Sequence, residues 1–356
     1  MKLTKYATVL MLLMLVLAAC GAPAPSGPTS AQPTPAPTSA TVVATSAPTT
    51  EPTAEATATT EATATTEPTA TTTEGTIKIL VSMKGPGGGN PFWAAVEQGA
   101  IEAGAELGVE VLVQAPPTES DVAAQIAQIE DAITQGVNGI AIAPTDPAAL
   151  EPVIQQAIDA GIPVVFIDTN GQNEGVTFIG TDNEAGAALA GEYICQELQP
   201  GDQVAILQGI ITTSTGKARA DGAKAAFTDC GLDVVAEVPA EWDRAKGLSA
   251  MEDILTKNPD LKAVFGSNDN MALGAAEAIK NAGLTGQILV VGFDANPDAA
   301  TAILAGDMAA SVAQAPANMG RFGVESLVAL INGETIEPLI DTGTELVTKD
   351  NAADYE

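Results

Sequence analysis

Polar side chains stand at the ends of two apolar runs within residues 265–298, and they are the residues best placed to do chemistry. Residues 263–265 predict a short buried strand that leads into Ser-Asn-Asp-Asn, which includes Asn268. Residues 288–291 predict a second strand that leads into Gly-Phe-Asp, which ends at Asp294. Because ligands of open parallel sheets bind at the carboxyl ends of strands, both side chains are candidates for holding a polar small molecule. They could equally cap the next helix or turn the chain, and the pattern alone does not decide.

The absence of histidine limits the chemistry that this chain can perform. Without it there is no Ser-His-Asp or Cys-His catalysis and none of the usual zinc ligand sets. The formal net charge is -31 at pH 7, from 14 Lys+Arg against 45 Asp+Glu. Such a charge argues against nucleic acid or an anionic membrane surface as a partner. Solubility is the simpler explanation of the acidity.

Three segments approach known cofactor or ion motifs and fail. Residues 85–90 lack the last glycine of a dinucleotide fingerprint. Residues 209–217 have the wrong spacing for a phosphate loop, and Ala218 stands where Ser or Thr is needed. Residues 168–172 begin like a calcium loop but lose the pattern at the fifth position. We therefore expect no enzyme activity, no cofactor and no metal site.

The first part of the chain predicts export and anchoring rather than a folded domain. Residues 1–20 combine a basic start, a short apolar run and Leu-Ala-Ala-Cys, which resembles a bacterial lipobox and implies a lipid on Cys20. A plain secretory signal is the alternative. Residues 21–75 are rich in Thr, Pro and Ala and hold almost no large apolar residues, so they predict a disordered tether and a candidate for O-glycosylation. The folded part is therefore expected outside the cytoplasm, lipid-anchored to the outer face of the cell membrane.

Two cysteines remain beyond the anchor, Cys195 and Cys230. Both are expected near the ends of helices. In an exported protein such a pair favours a disulfide. Two buried thiols are the alternative reading.

Strands and helices alternate along the rest of the chain. Continuous apolar runs predict strands at residues 77–82, 109–113, 139–143, 163–167 and 176–180, with helical patterns between them. A second series begins with a helix at residues 185–198, and its first and last strands along the chain are predicted at residues 203–207 and 309–314. Apolar strands that alternate with helices are typical of parallel sheets with both faces covered. The fold class is therefore α/β, with two doubly wound parallel-sheet lobes and a cleft between their sheet edges. Such interfaces favour small-molecule pockets.

Eight short motifs occur along the two lobes in a fixed order. They are Asn90-Pro-Phe-Trp93, Ala143-Pro-Thr-Asp146, Thr181-Asp-Asn183, Leu207-Gln-Gly209, Trp242-Asp-Arg-Ala-Lys-Gly247, Asn268-Asp-Asn-Met-Ala-Leu-Gly274, Val291-Gly-Phe-Asp294 and Ala313-Gln314. Any one of them is weak, but the set resembles the periplasmic ribose-binding protein family, the type I solute-binding proteins of sugar ABC transporters. The resemblance covers residue 75 to the C-terminus.

The resemblance implies a clamp of two lobes joined by a three-segment hinge. Residues 76–181 with 315–340 would form the N-terminal lobe, and residues 182–314 with 341–356 the C-terminal lobe. The lobes would close over one monosaccharide or related polyol and deliver it to an ABC permease. The protein is then expected to be a monomer that meets the membrane only through Cys20.

The resemblance also implies a set of ligand-binding residues. On the first lobe they are Ser82, Asn90, Phe92, Trp93 and Asp168, on the second Arg219, Trp242, Asn268 and Asp294, and at the hinge Gln314. These residue types suit a sugar, whose flat C–H faces stack on aromatic rings and whose hydroxyl groups donate to carboxylates.

This chain departs from the ribose pattern at the expected site. Ala143 stands where ribose binders carry an Asn, and Thr169 stands where they carry an Arg. The glycine-rich loop before Asn90 is longer than theirs, and Trp93 and Trp242 replace phenylalanines. Two polar contacts to a pentose are thus missing while the stacking surface is broader. We expect a different sugar or polyol, such as a hexose.

Simpler roles remain open for several of these residues. Phe92 could be a core aromatic residue, and Phe293 is expected to pack beneath the site. Arg219 could pair with Asp221 or Asp243 instead of binding a ligand. Three further acids, Asp146, Asp182 and Asp269, are expected to cap helices or hold the hinge.

Other functions of the same fold must be weighed against transport. A receptor subunit that presents a sugar or autoinducer to a sensor or chemoreceptor would use the same pocket, so only the partner discriminates. A glycosidase could use Asp168 and Asp294 as a carboxylate pair, but no further feature supports one. A sugar-responsive repressor would need an N-terminal DNA-binding helix pair where this chain carries its lipobox and tether.

Overall fold

The computed structural model describes residues 76–356, which form two α/β lobes. The first lobe contains β1 (Lys78–Ser82), α1 (Pro91–Leu107), β2 (Glu110–Gln114), α2 (Val122–Gln135), β3 (Gly139–Ile142), α3 (Pro147–Asp159), β4 (Val164–Ile167) and β5 (Thr177–Gly180). The second contains α4 (Asn183–Glu197), β6 (Gln203–Gln208), α5 (Ser214–Asp229), β7 (Asp233–Pro239), α6 (Arg244–Lys257), β8 (Leu261–Gly266), α7 (Asp269–Asn281), β9 (Leu289–Asp294), α8 (Pro297–Ala305) and β10 (Ala310–Ala313). The chain then adds α9 (Pro316–Ile331), β11 (Leu339–Asp341), β12 (Glu345–Val347) and a 3-10 turn at Ala352–Tyr355.

Each lobe is built on a six-stranded sheet. The strand orders are β11-β5-β4-β3-β1-β2 and β12-β10-β9-β8-β6-β7. The chain order reverses at β1 in the first sheet and at β6 in the second, and such reversals open a crevice at the carboxyl ends of the strands. The predicted fold class of two doubly wound lobes is confirmed.

One strand pair departs from the predicted parallel arrangement. β12 runs antiparallel to β10, with Ala313 opposite Glu345. The reason is topological. A parallel partner requires a long crossover, whereas β12 enters the second lobe by a short segment from β11, at the edge where β10 ends.

Three segments link the lobes within residues 76–356: those between β5 and α4, between β10 and α9, and between β11 and β12. A single hydroxyl group contacts residues from the other two. Thr181 Oγ1 donates to Gln314 Oε1 at 3.0 Å and lies 3.3 Å from Thr342 Oγ1. The three segments therefore meet at one small polar cluster.

Close helix packing holds the first lobe's candidate residues in place. At the crossing of α1 and α9, a Cβ atom on Gly99 would lie 1.9 Å from the carbonyl oxygen of Ala317, and one on Gly320 would lie 2.0 Å from that of Val96. Only glycine permits so close an approach of the backbones. The middle of α1 is thereby fixed against the first turns of α9, the helix that follows Gln314.

In the second lobe, α4 and α5 pack side by side and are joined by a disulfide. Cys195 lies in α4 and Cys230 caps the end of α5, and the structure bonds their sulfur atoms. The same two helices carry Asn183 and Arg219, which contact each other near the cleft. The bridge therefore connects two elements that position a candidate site residue.

Short elements account for most of what the pattern did not predict. α8 has nine residues, and β11 and β12 have three each. Pro297 at the start of α8 and Gly306 at its end are typical helix signals, but its alanine-rich centre has little periodicity. Three-residue strands are too short for a hydrophobic pattern to identify.

The expectations for the leader, for Cys20 and for the tether at residues 21–75 lie outside the described residues. Within residues 76–356, none of the helices combines the length and apolar character needed to cross a bilayer.

Candidate functional site

A cavity of about 290 Å³ lies between the two lobes. Its wall is formed by Lys84, Asn90, Phe92, Trp93, Glu119, Asp168, Thr215, Arg219, Trp242, Asn268, Asp294 and Gln314. Nine of the ten predicted ligand-binding residues are among them. This volume includes space that is open to solvent.

The start of α1 presents two aromatic rings to the cavity. Asn90 caps this helix by accepting a hydrogen bond from the Phe92 backbone N–H at 3.2 Å, and Pro91 occupies the first helical position. The rings of Phe92 and Trp93 meet edge to face, with their centres 4.9 Å apart. The Trp93 indole N–H donates to Glu119 Oε1 at 2.7 Å, which fixes the orientation of its ring.

An ion pair from the first lobe lies beside these rings. Asp168 follows β4 in the left-handed region, with a φ of 57°, and its Oδ2 lies 2.8 Å from Lys84 Nζ. The two side chains are 3% and 4% exposed. The ammonium group also donates to Thr169 Oγ1 at 2.8 Å, and that hydroxyl donates to Asp168 Oδ2 at 2.6 Å.

The second lobe contributes its own buried ion pair. Asp294, at the end of β9, accepts a hydrogen bond from Gln314 Nε2 at 2.6 Å and one from Arg219 at 3.3 Å. The guanidinium group also donates to Asn183 Oδ1 at 2.7 Å and to the Ser267 carbonyl oxygen at 2.9 Å. Arg219 is therefore held rigidly at the cavity wall.

Pairing of Arg219 with Asp221 or Asp243 is ruled out by these contacts. Asp221 pairs with Lys217, one turn earlier on the same helix. Asp243 caps α6 by accepting from the Lys246 backbone N–H.

Phe293 packs beneath the site as expected. Its ring is fully buried, and the Arg219 guanidinium lies 3.8 Å above the ring centre.

Both sequence interpretations of Asn268 apply at once. Its side-chain oxygen caps α7 by accepting from the Met271 backbone N–H at 2.9 Å, while its amide nitrogen lies 3.4 Å from the Trp242 carbonyl oxygen. The residue also lines the cavity. Trp242 has a φ of 66°, and its ring covers Gly209, where any Cβ atom would lie 2.1 Å from the indole.

Ser82 is the predicted site residue that the structure does not bring to the cavity wall. It is completely buried at the end of β1, and its Oγ accepts a hydrogen bond from Gln125 Nε2 at 3.1 Å. The same amide donates to the Ala143 carbonyl oxygen at 2.9 Å. Gln125 thus ties β1 to the end of β3 beneath the site, and Lys84, two residues farther on, lines the cavity instead.

The sequence patterns did not predict Lys84, Glu119 or Thr215 as cavity residues. Lys84 and Glu119 lie in loops whose paths depend on contacts with distant residues, so their spacing carries no periodic signal. A weak signal existed for Lys84, as a lone cation in a glycine-rich loop directly after a strand. Thr215 begins α5 after a segment rich in Thr and Ser, which indicated a helix cap rather than a cavity wall.

The three acids expected to cap helices or hold the hinge divide into two groups. Asp146 and Asp182 cap α3 and α4 by accepting from backbone N–H groups. Asp269 does neither, because it accepts from Ser311 Oγ at 2.6 Å and from the Asn296 backbone N–H at 2.7 Å. It holds the segment after β9 behind the cavity.

Direct contacts join the two lobes across the cleft. Thr169 Oγ1 of the first lobe lies 2.8 Å from Thr215 Oγ1 of the second, and Thr215 donates to the Asp168 carbonyl oxygen at 3.2 Å. Lys84 Nζ lies 5.6 Å from the ring centres of both Trp93 and Trp242, one from each lobe. The structure therefore shows the lobes closed on each other.

Burial dominates the electrostatics of the cavity carboxyl groups. Desolvation raises the pKa of Asp294 to about 6, although the Arg219 guanidinium opposes the shift. Burial likewise raises the pKa of Glu119, and burial beside Asp294 raises that of Asp269. Within residues 76–356, no group of three or more His, Cys, Asp or Glu side chains could hold a metal ion.

A family model described as a periplasmic binding protein domain matches residues 79–335. The chain belongs to the periplasmic binding protein family. The ribose import binding protein RbsB of Escherichia coli strain K12 is 36% identical to it over 275 residues, covering 77% of this chain and 90% of RbsB. The D-allose-binding periplasmic protein of the same strain is 36% identical over 260 residues, covering 70% of this chain and 84% of that protein.

The same likeness extends to solved structures of the periplasmic binding protein family. A solute-binding protein of an ABC transporter from Actinobacillus succinogenes, solved with bound D-allose, has a TM-score of 0.74 at 29% identity. The match covers 78% of this chain and all of the other. The resemblance to ribose-binding proteins is thereby confirmed, as is the class of binding protein rather than enzyme.

Proposed function

We propose that this periplasmic binding protein captures a hexose or a related monosaccharide or polyol in the cavity between its lobes and delivers it to an ABC permease. The observation that supports this most strongly is the pairing of one carboxylate with one cation on each lobe, Asp168 with Lys84 and Asp294 with Arg219. Aromatic rings from both lobes lie beside these pairs. A sugar presents both matching surfaces, a rim of hydroxyl groups and flat C–H faces.

The charges of the cavity favour a neutral ligand. The two cations are balanced by the carboxylates of Asp168 and Asp294, and the pKa of the third acid, Glu119, is raised by burial. The ion pair of Lys84 with Asp168 retains a donor for a hydroxyl group. An ammonium group has three N–H donors, and Lys84 uses two of them for Thr169 and Asp168. Hydrogen bonds to charged groups contribute about 1.5–3 kcal/mol each, so a few of them are enough for micromolar affinity.

The departures from the ribose pattern gain a physical explanation from Lys84. Thr169 replaces an arginine of that pattern, and the Lys84 ammonium lies 2.8 Å from its hydroxyl oxygen. The loop after β1 therefore supplies a cation next to the position where the arginine is missing. Together with the wide rings of Trp93 and Trp242, this arrangement favours a hexose. The D-allose-binding periplasmic protein of Escherichia coli is 36% identical to this chain, the same identity as RbsB.

Ligand capture requires the lobes to separate. We propose that residues 76–181 with 315–340 and residues 182–314 with 341–356 move as two bodies about the segments that meet at Thr181. The contacts of Thr215 with Thr169 and Asp168 would break on opening and form again on closure.

A thermal-shift screen of residues 75–356 tests this function. The panel holds D-allose, D-ribose, D-glucose, D-galactose, myo-inositol, nucleosides and amino acids. A ligand that binds only the folded protein stabilises it by about 2.7 kcal/mol at a hundredfold excess over Kd. We expect a clear rise in Tm with at least one hexose. A rise with nucleosides or amino acids alone would refute the sugar assignment.

The raised pKa of Asp294 predicts a pH dependence of binding. The ionised carboxylate accepts more and stronger hydrogen bonds from hydroxyl groups than the protonated form does, and in the closed structure Asp294 takes up a proton as the pH falls through its pKa of about 6. The affinity for the sugar is therefore highest above this pH and declines below it. We expect roughly tenfold weaker binding at about pH 5 than at about pH 7.5, measured by calorimetry. Equal affinity at both values would contradict the role of the carboxylate.

We further propose that a lipid on Cys20 and the tether of residues 21–75 hold a monomeric protein at the outer face of the cell membrane. The sequence of residues 1–20 is the support for this proposal. Incorporation of labelled palmitate that is lost in Cys20→Ser would agree with it. Equal labelling of both proteins would contradict it.

A further inference from the structure

A second, larger space adjoins the cavity and is here termed the outer groove. The groove measures about 1640 Å³, part of it open to solvent. One wall is the glycine-rich loop of the first lobe, residues 85–89, and the other is the segment of the second lobe at residues 241–244 with Lys246. Three residues line both spaces: Asn90, Glu119 and Trp242. The cavity and the outer groove therefore lie next to each other, with these three side chains between them.

Glu119 has hydrogen-bonding capacity left at this junction. Its Oε1 accepts from the Trp93 indole at 2.7 Å and from the Asn90 amide at 3.5 Å. Its Oε2 accepts no hydrogen bond from residues 76–356, and the residue is partly exposed. A carboxyl group so placed can bind a hydroxyl group of a ligand that occupies the junction.

Trp242 provides a second, independent indication of a ligand. It is 8% exposed, and its indole N–H has no hydrogen-bond partner among residues 76–356. Buried donors are nearly always paired in folded proteins, so this one predicts an acceptor supplied from outside the chain. Two successive residues in the left-handed region, Glu241 with a φ of 50° and Trp242 with 66°, hold the ring at the junction. Strained backbone of this kind is common at ligand clamps.

The walls of the outer groove suit an uncharged polar ligand. Both cations that line it are already paired, Arg244 with Asp298 at 3.5 Å and Lys246 with Glu241. The loop wall offers mainly glycine backbone, whose N–H and C=O groups can approach a ligand closely. A Cβ atom on Gly88 would meet no heavy atom within 4 Å. At Gly88 the loop wall therefore carries no side chain although there is space for one.

We infer that the outer groove is a second carbohydrate subsite, so that the protein also binds a glycoside or disaccharide whose inner ring is the monosaccharide of the proposed function. The inner sugar ring would bind in the cavity, and an O-linked, ring-sized substituent would extend past Trp242 into the groove. This inference rests on the proposed function, because the inner ring is the sugar assigned to the cavity. The groove is the larger of the two spaces, at about 1640 Å³ against about 290 Å³, and both volumes include space open to solvent.

Calorimetry with paired probes tests the outer subsite. D-allose, D-glucose and D-galactose are each compared with their α- and β-phenyl glycosides. The wild-type protein should bind at least one phenyl glycoside about tenfold more tightly than the parent sugar. Rejection of every phenyl glycoside, with the parent sugar bound, would overturn the subsite and leave the proposed function intact. Failure of all probes, parents included, would overturn both.

A substitution in the loop wall separates the two subsites. Gly88→Tyr places a ring in the groove without backbone strain, and Gly88→Ala is the matched control at the same position. Gly88→Tyr should weaken the glycoside about tenfold or more and change the affinity of the parent sugar less than about twofold. Gly88→Ala should leave both unchanged. Equal losses for glycoside and parent in Gly88→Tyr would show that the groove holds no part of the ligand.

Discussion

Asp294→Asn is expected to weaken hexose binding by about 100-fold or more. The variant keeps the shape of the side chain and its acceptor for Gln314, but it removes the charge that lies against Arg219. Two hydroxyl hydrogen bonds to a buried carboxylate would contribute about 3–6 kcal/mol together. The loss of that charge leaves only weaker bonds to an amide oxygen.

Isothermal calorimetry with the hexose found in the thermal-shift screen measures the effect. Asp260→Asn is the matched control, because it changes the net charge equally at an exposed position after α6. It should bind like the wild type. Unchanged circular dichroism of Asp294→Asn would show that its fold is intact. Affinity within threefold of the wild type in that variant would place the ligand elsewhere.

Lys84→Met is expected to destabilise the protein by about 3–5 kcal/mol, because it leaves a buried carboxylate without its cation. Asp168 is 4% exposed on its side chain, and Lys84 provides its ion pair at 2.8 Å. Methionine retains much of the apolar stem of the lysine side chain. The loss therefore reports mainly on the unpaired charge.

A double-mutant cycle separates this effect from lost packing. Urea unfolding at neutral pH is measured for Lys84→Met, Asp168→Asn and the combination of the two. Since a buried ion pair replaced as a whole often costs little, the combined variant should be more stable than Lys84→Met alone. If the two losses simply add, the side chains are not coupled and the closed geometry of this loop is wrong. Sugar binding should be lost in all three variants.

The alternation of apolar runs was sufficient to predict the two lobes, because buried parallel strands carry continuous hydrophobic patterns. It was insufficient for β12, whose antiparallel direction follows from where the chain re-enters the second lobe. α8 and the three-residue strands lacked enough residues to form a pattern. Local spacing therefore predicted the regular elements but not the short pieces that complete the sheets.

The site shows the same division between local and tertiary information. Residues at strand ends and helix starts, such as Asp294 and Phe92, could be placed from the sequence because the fold aligns those positions. Lys84 and Glu119 could not, since both lie in loops whose conformation depends on contacts with other parts of the lobe. Asp221 and Asp243 suggested simple surface pairs for Arg219, whereas the structure pairs it with Asp294, 75 positions away.

Intrinsic tryptophan fluorescence tests the central claim, that the sugar binds between the lobes, most directly. The protein contains two tryptophans, Trp93 and Trp242, and both line the cavity. Titration with the sugar that raises Tm should change the emission saturably, with a midpoint equal to the calorimetric Kd. Trp93→Phe and Trp242→Phe should each retain a change from the remaining ring. Calorimetric binding with constant emission would contradict the claim, because the sugar would then bind away from both rings.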